Sequence, residues 1–518
     1  MPEPGQIIAY SNSKNLLLSK GALKLLEDRT EWTGIIDRLS DRKLSFVTES
    51  NIQEEIMESK AKTEAEDSST PEISRSSKFK PLAAEIQSDL KFRDDLNPGK
   101  SDSRGEMEDF VSYFKDGYTK RRDIMQKTRN VQSTELSKVK NVSPREELSV
   151  IGMVFEKYET KNGHLIITLE DLNSRCKVLV LKDRTDLMRL FQDVIEDDVV
   201  LVTGQKGSDF NQGAGKKDSE PMIVAQDVVF PEIPIHKPHY SREDVSVVAT
   251  SDLHVGHKKF LEGAFRKFLA WLKGDVGSSK QAELAGKVKY LLINGDCVEG
   301  VGVYPEQEDE LVITDIYRQY EEFEKLVQEI PDYVEVIIAP GQHDAVRVED
   351  PVPQLNFEKY MPNLGKLKNI HFATSPNWME LHGVKFLSYY GLSMHNMWSL
   401  MPHKLSAENP EKAMIEYLRK RHLAPYYGET PNSRGHIFPE KRDYMAITEV
   451  PDVLVTSHVH RNAYAEYRGT LALNTGCWQS QTVFQAKQGH LPTPGIVPII
   501  SLREMKVNEM RFIGPGSA

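Results

Sequence analysis

Val247-Val248-Ala249-Thr250-Ser251-Asp252-Leu253-His254 is an apolar, β-branched run that ends in a carboxylate and an imidazole two residues apart. A buried parallel strand hands ligands to the carboxyl edge of its sheet in this way. The same grammar recurs three times: Tyr290 to Ile293 runs into Asn294-Gly295-Asp296, Val336 to Ala339 into Pro340-Gly341-Gln342-His343-Asp344, and Val453 to Thr456 into Ser457-His458-Val459-His460. A lone Asp-x-His is weak evidence, since single histidines are usually core or surface residues. Four apolar strands that all end in Asp, His or an amide point to one shared site.

Around these strands the pattern is β-α-β. Leu261, Ala264, Phe265, Phe268, Leu269 and Leu272 follow at helical spacing, as do Ile316, Tyr320, Phe323, Val327 and Ile330 after Asp296. Strands alternating with crossover helices predict a largely parallel, layered sheet. Further strands at Val384 to Tyr389 and Val453 to Thr456, with a hairpin from Tyr464 to Asn474 turned at Gly469, predict a second sheet packed on the first. The fold class is therefore α/β (α+β), with the site domain at 243–518.

Upstream, 148–235 reads as β structure: Ser149–Phe155, Leu165–Leu169, Cys176–Leu181, Val199–Thr203 and Met222–Val229, with turns at Asn162-Gly163 and Asp171 to Ser174. Five short strands suit an OB-type barrel. Such barrels bind single strands through aromatic and basic residues, but these strands offer few aromatics, so protein contacts are an equal expectation. Residues 106–147 are expected to be a helix and linker, with Phe110, Val111, Phe114, Tyr118 and Ile124 on one side and a basic end at Lys120-Arg121-Arg122. Residues 58–105, rich in Ser, Glu, Lys and Asp, read as a disordered tether. Within it Gln87, Leu90 and Phe92 share part of the pattern of a sliding-clamp peptide, without its second aromatic or its spacing. Residues 1–57 read as a small helical module built on Leu16 to Leu18, Leu23, Leu25, Leu26, Ile35, Ile36 and Leu39, with Ser50 or Asn51 capping the helix that follows.

With 518 residues the chain should form two or more domains, and its net charge of −11 does not attract phosphate backbones as a whole. Cys176, Cys297 and Cys477 are far apart and show no CxxC spacing, which excludes a disulfide framework or a cysteine zinc site. No apolar run approaches the roughly 20 residues that span a bilayer, so a soluble, cytoplasmic protein without membrane contact is expected.

Two divalent cations a few ångströms apart need a carboxylate that bridges them. Asp296, directly after a glycine, is the expected bridge; Asp252, His254 and His460 complete one metal, and Gln342 and His458 contribute to the other. Oxygen mixed with imidazole favours manganese, then iron or zinc, over calcium. Water activated between them would attack phosphorus in line, with His343 as the catalytic residue that neutralises a non-bridging oxygen or protonates the leaving oxygen.

Asp-x-His, Gly-Asp, Gly-Gln-His-Asp and His-x-His, in that order, resemble the calcineurin-like metallophosphoesterase superfamily. Ser251 to Phe260, Asn294 to Pro305 and Gly489 to Pro494 more narrowly resemble the small-subunit family of archaeal family D DNA polymerases, over roughly 90 to 505. The resemblance implies a two-sheet phosphoesterase sandwich flanked by helices, preceded by an OB-fold barrel. It also implies a 3′-5′ exonuclease that proofreads for a separate large polymerase subunit, acting on single-stranded or mismatched 3′ ends. In two places the chain departs from that family: Gln342 stands for Asn, and Tyr390 for a histidine ahead of Gly391. A phenol ligates only if the metal strips its proton, since its ordinary pKa is about 10. His395, five residues on, is the other substitute ligand. The first metal is thus better supported than the second, and two alternatives stand: a scaffold for the large subunit that keeps the fold and one metal, and a stand-alone phosphoesterase.

Overall fold

The computed structural model describes residues 4–14, 16–27, 32–41, 46–48, 51–52, 79–101, 103–207, 220–430, 437–487 and 489–514. They divide into one unit of Met1–Thr70 with Ile513–Ala518 and another of Pro71–Phe512. In the first, helices Pro4–Ser13, Lys20–Glu27 and Trp32–Asp41 bury Ile7, Leu26, Ile36 and Leu39. Leu17–Leu18 is not helical as its apolar run suggested, but a short strand parallel to Phe46–Val47. Asn51 accepts from Thr48 N through its side chain at 2.9 Å; most of the helix expected after it lies outside the described residues.

In the second unit, strands Glu147–Glu159, Leu165–Glu170, Arg175–Val180, Met222–Val229 and Val199–Lys206 close into a barrel in that order. Gly163 takes φ 79° at the first turn. A helix that the sequence pattern did not reveal, Thr185–Gln192, packs Leu187 and Phe191 into the barrel core. The long helix before it, Met107–Arg129, buries Tyr113, Tyr118, Arg121 and Met125, and leaves Val111 exposed. The expected stripe fails because this helix packs on two bodies. Tyr118 Oη donates to Ile151 O of the barrel, while a Cβ on Gly117 would collide with Asp443.

The remainder holds two six-stranded sheets. The first runs Ile370–Phe372, Glu335–Ala339, Val288–Asn294, Ser246–Thr250, Ile496–Ser501, Lys506–Arg511, with its first four strands mutually parallel. The second runs Ala463–Tyr467, Thr470–Asn474, Val453–Thr456, Val384–Ser388, Asn377–Leu381, Leu90–Phe92. Val247, Ala249, Leu292 and Ile337 of the first meet Met379, Phe386, Val455 and Leu473 of the second in one buried core. Alternate residues of each strand face this core, as the two-residue period of a strand dictates. Leu90–Phe92 corrects the tether reading: it pairs antiparallel with Asn377–Leu381, and Leu90 and Phe92 pack on the shared core. Three residues are too few to show a period, so only the partner strand reveals them. Further departures from the tether reading are a short helix, Leu82–Glu85, that buries Ala83, and Asn97, which is also buried; residues 58–78 of the expected tether lie outside the described residues. The three cysteines are free and buried. Among the described residues no helix is long and apolar enough to cross a membrane.

Buried charges join the barrel to the sandwich. Lys420 Nζ pairs with Asp198, each 1% exposed, and donates to Asp193 O at 2.7 Å. Asp193 also takes Arg419 at 2.6 Å and Lys404 at 2.9 Å. Removing one partner of a buried pair leaves a charge without compensation. Lys420→Met should therefore destabilise the chain by about 3–5 kcal/mol. Denaturant unfolding checks this, and an unchanged midpoint would show that the pair is not what anchors the barrel.

Candidate metal centre

The strands ending at Thr250, Asn294, Ala339 and Thr456 each turn sharply at the same edge of the sandwich. Asp252, His254, Asp296, His458 and His460 all adopt left-handed backbone, with φ of 51°, 54°, 46°, 74° and 56°. Outside glycine that conformation costs roughly 1–3 kcal/mol per residue and persists only where surroundings impose it. Backbone bonds between loops impose it here: Asp252 N donates to Gly295 O at 3.0 Å, Leu253 N to Asp296 O at 2.9 Å, and Trp478 N to Asp252 O at 3.0 Å. Five strained residues of ligand type at one edge aim side chains rather than extend strands.

Those side chains converge. Ligand atoms of Asp252, His254 and His460 lie within 4.8 Å of one another, as do those of His254, Asp296 and His343. His254 Nε2 is 3.1 Å from His460 Nε2 and 3.8 Å from Asp296 Oδ2, and His460 Nε2 is 3.5 Å from Asp252 Oδ1. Asp252 is wholly buried, yet its Oδ1 accepts no hydrogen bond. His343 N donates to Asp296 Oδ1 at 2.9 Å, and its ring meets that of His254 edge-on at 4.8 Å. His458 N donates to Asp252 Oδ2 at 3.2 Å, while its Nδ1 lies 2.8 Å from the Tyr390 hydroxyl. Tyr390 Oη donates to Asp296 Oδ2 at 2.5 Å. Gln342 is half-buried beside His343, and among the described residues no hydrogen bond ties its amide to the cluster. The His395 ring stands edge-on to His458, centroids 5.0 Å apart, and faces His490 at 6.0 Å.

A family model describing the B subunit of DNA polymerases alpha and epsilon matches residues 247–464, a span that contains all of these candidate residues. The chain is 37% identical to the DNA polymerase II small subunit of Methanothermobacter thermautotrophicus over 79% of its own length and 81% of that protein. The protein of the same name from Archaeoglobus fulgidus is 38% identical over 77% and 76%, and that of Methanocaldococcus jannaschii 34% over 83% and 70%. The chain belongs to the small-subunit family of archaeal family D DNA polymerase.

The electrostatics of this small subunit's cluster fit a cation. Burial, reinforced by the charge of Asp296, pushes Asp252 well above the usual carboxylate range. Burial alone would lower the His254 imidazole, but Glu299, Asp296 and Asp252 raise it to about 9. Burial and the neighbouring His254 and His343 drive His460 well below its ordinary value. Two carboxylates and two facing imidazole nitrogens thus lie together, buried from water. A divalent ion would satisfy all of them.

Motif reading missed the groups that hold the candidate residues. Glu299, 1% exposed, accepts from His254 Nδ1 at 2.7 Å and from Tyr304 Oη at 2.9 Å. With Nδ1–H committed to Glu299, Nε2 is the atom of this ring that a metal could take. The Gln485 amide nitrogen donates to His460 Nδ1 at 2.9 Å and steadies that ring, and Ser251 Oγ donates to Asp252 Oδ2. An acidic residue three positions after Asp296, in the same ligand loop, was the available signal for Glu299.

Proposed function

We propose that this small subunit is a metal-dependent 3′-5′ exonuclease, built as a calcineurin-like phosphoesterase sandwich with an OB-fold barrel, that proofreads for a large catalytic polymerase subunit. The observation that carries this reading is the convergence of Asp252, His254, Asp296, His343 and His460 at one sheet edge, with an unsatisfied buried carboxylate oxygen among them. Membership of a polymerase small-subunit family supports the partner and DNA as the substrate class. The net charge of −11 suits a subunit that receives DNA from its partner rather than capturing duplex by itself.

Asp252, His254, Asp296 and His460 would hold the cation. A divalent ion bound there polarises a phosphoryl oxygen and acidifies water. His343 is oriented by its own chain. Its Nδ1 lies 2.8 Å from Glu299 O, a carbonyl that can only accept, so Nδ1 carries hydrogen and Nε2 is left for another partner. It would neutralise a phosphoryl oxygen or protonate the departing 3′ oxygen. Water adds to phosphorus, the bond from phosphorus to the 3′ oxygen breaks, and a nucleoside 5′-monophosphate leaves. Tyr390, bonded to Asp296, favours a second reading: a scaffold in which this chemistry is slowed.

The full chain, alone and with its large subunit, should release mononucleotides stepwise from the 3′ end of single-stranded or mismatched DNA in manganese, and stop on chelation. Release from the 5′ end would reject the polarity. No release under any metal would leave the scaffold reading.

A further inference from the structure

We propose that the Tyr390 hydroxyl takes the place of a second cation, so that the centre holds one divalent ion rather than two. This rests on the metal-dependent reading above. The phenolic proton goes to Asp296 Oδ2 at 2.5 Å, because a carboxylate there can only accept. The phenolic oxygen then faces His458 Nδ1 at 2.8 Å and accepts from it. One hydroxyl thus ties up a carboxylate oxygen and an imidazole nitrogen that a second ion would need. Its contacts have hydrogen-bond lengths: its own proton reaches the carboxylate and its oxygen takes the imidazole's, where a second ion would otherwise join the two.

The hydroxyl is built in rather than loosely placed. Tyr390 is 1% exposed. Its backbone is clamped on both sides, N donating to Ser375 Oγ at 2.9 Å and O accepting from Ser457 Oγ at 2.9 Å. Its ring lies where a Cβ on either Gly295 or Gly341 would collide with it. Those glycines bring the backbone of two loops against the Cδ2–Cε2 side of the ring, which closes that direction to the phenol unless the loops open. The Gln342 amide does not restore a second donor: among the described residues it makes no hydrogen bond to the cluster. Asp252, His254 and His460 carry no such plug, for Asp252 Oδ1 accepts no hydrogen bond and the two Nε2 atoms face each other at 3.1 Å.

The test is the metal content of the full chain after saturation with manganese and desalting, by elemental analysis, with electron paramagnetic resonance to distinguish an isolated ion from a coupled pair. Wild type and Tyr390→Phe should each hold one uncoupled ion, since the phenol is not a ligand. The double variant Tyr390→His with Gln342→Asn removes the hydroxyl, shortens the side chain and supplies two donors, and should hold two coupled ions. Two ions in wild type, loss of the ion in Tyr390→Phe, or a single ion in a folded double variant would each overturn the proposal. If the double variant does not fold, wild type and Tyr390→Phe decide alone: one ion in both supports it. Two ions with intact nuclease activity would sink only this inference, whereas no ion at all would sink the metal-dependent reading with it.

Discussion

Asp296→Ala should abolish release of 3′ nucleotides, by roughly a thousandfold or more, and should leave the chain unable to retain manganese. Its carboxylate ties three members of the cluster together. Asp296 accepts from His343 N at 2.9 Å and from Tyr390 Oη at 2.5 Å, and it faces His254 Nε2 at 3.8 Å. Alanine would remove one of two buried carboxylates that balance an incoming cation, and at the same time release the loop that carries His343. The strained turn itself would survive, because it is set by backbone: Gly295 takes φ 100°, and Gly295 N donates to Ala339 O at 2.9 Å. The defect should therefore be local. Circular dichroism and copurification with the large subunit should match wild type, while metal analysis and the exonuclease assay should both fall to background. A variant that keeps its metal and most of its rate would remove Asp296 from the chemistry, and with it the reading built on the four strand ends.

How much of this was legible in the sequence depends on the range of each signal. The parallel strands were legible because Val247 to Thr250, Tyr290 to Ile293 and Val336 to Ala339 are continuous β-branched or apolar runs, the mark of strands covered on both faces. The order of the candidate site residues was legible because each sits within a few residues of such a run. The barrel strands were legible by their spacing, although the helix Thr185–Gln192 between two of them was not. What escaped depends on partners remote in sequence. Leu90–Phe92 is a strand only because Asn377–Leu381 lies beside it. Arg121 was read as part of a basic helix end, yet it is 4% exposed and bonded to Asp197 O at 3.1 Å. Tyr390 was visible as an unusual residue at a ligand position. That its hydroxyl reaches Asp296 and His458 together depends on three loops whose approach no local pattern encodes.

His343→Ala should do the opposite of Asp296→Ala in one respect: the ion stays and the rate goes. The side chain is held from three directions. Nδ1–H donates to Glu299 O at 2.8 Å, N donates to Asp296 Oδ1 at 2.9 Å, and the ring packs edge-on against His254. The first bond fixes the orientation and leaves Nε2 for a phosphoryl group that meets the cation. A donor placed there acts on charge that develops during cleavage, more than on the resting diester, so its loss should lower kcat rather than raise KM. Removing one such donor costs about 10²–10³ in rate. Equal loss of metal and rate in His343→Ala would reassign the residue as a ligand, a role its place within 4.8 Å of His254 and Asp296 also permits. An unchanged rate would leave it as packing against His254. Retained metal with a collapsed kcat is the one outcome that assigns it to the reacting phosphate, and measuring both quantities on the same preparation separates the three.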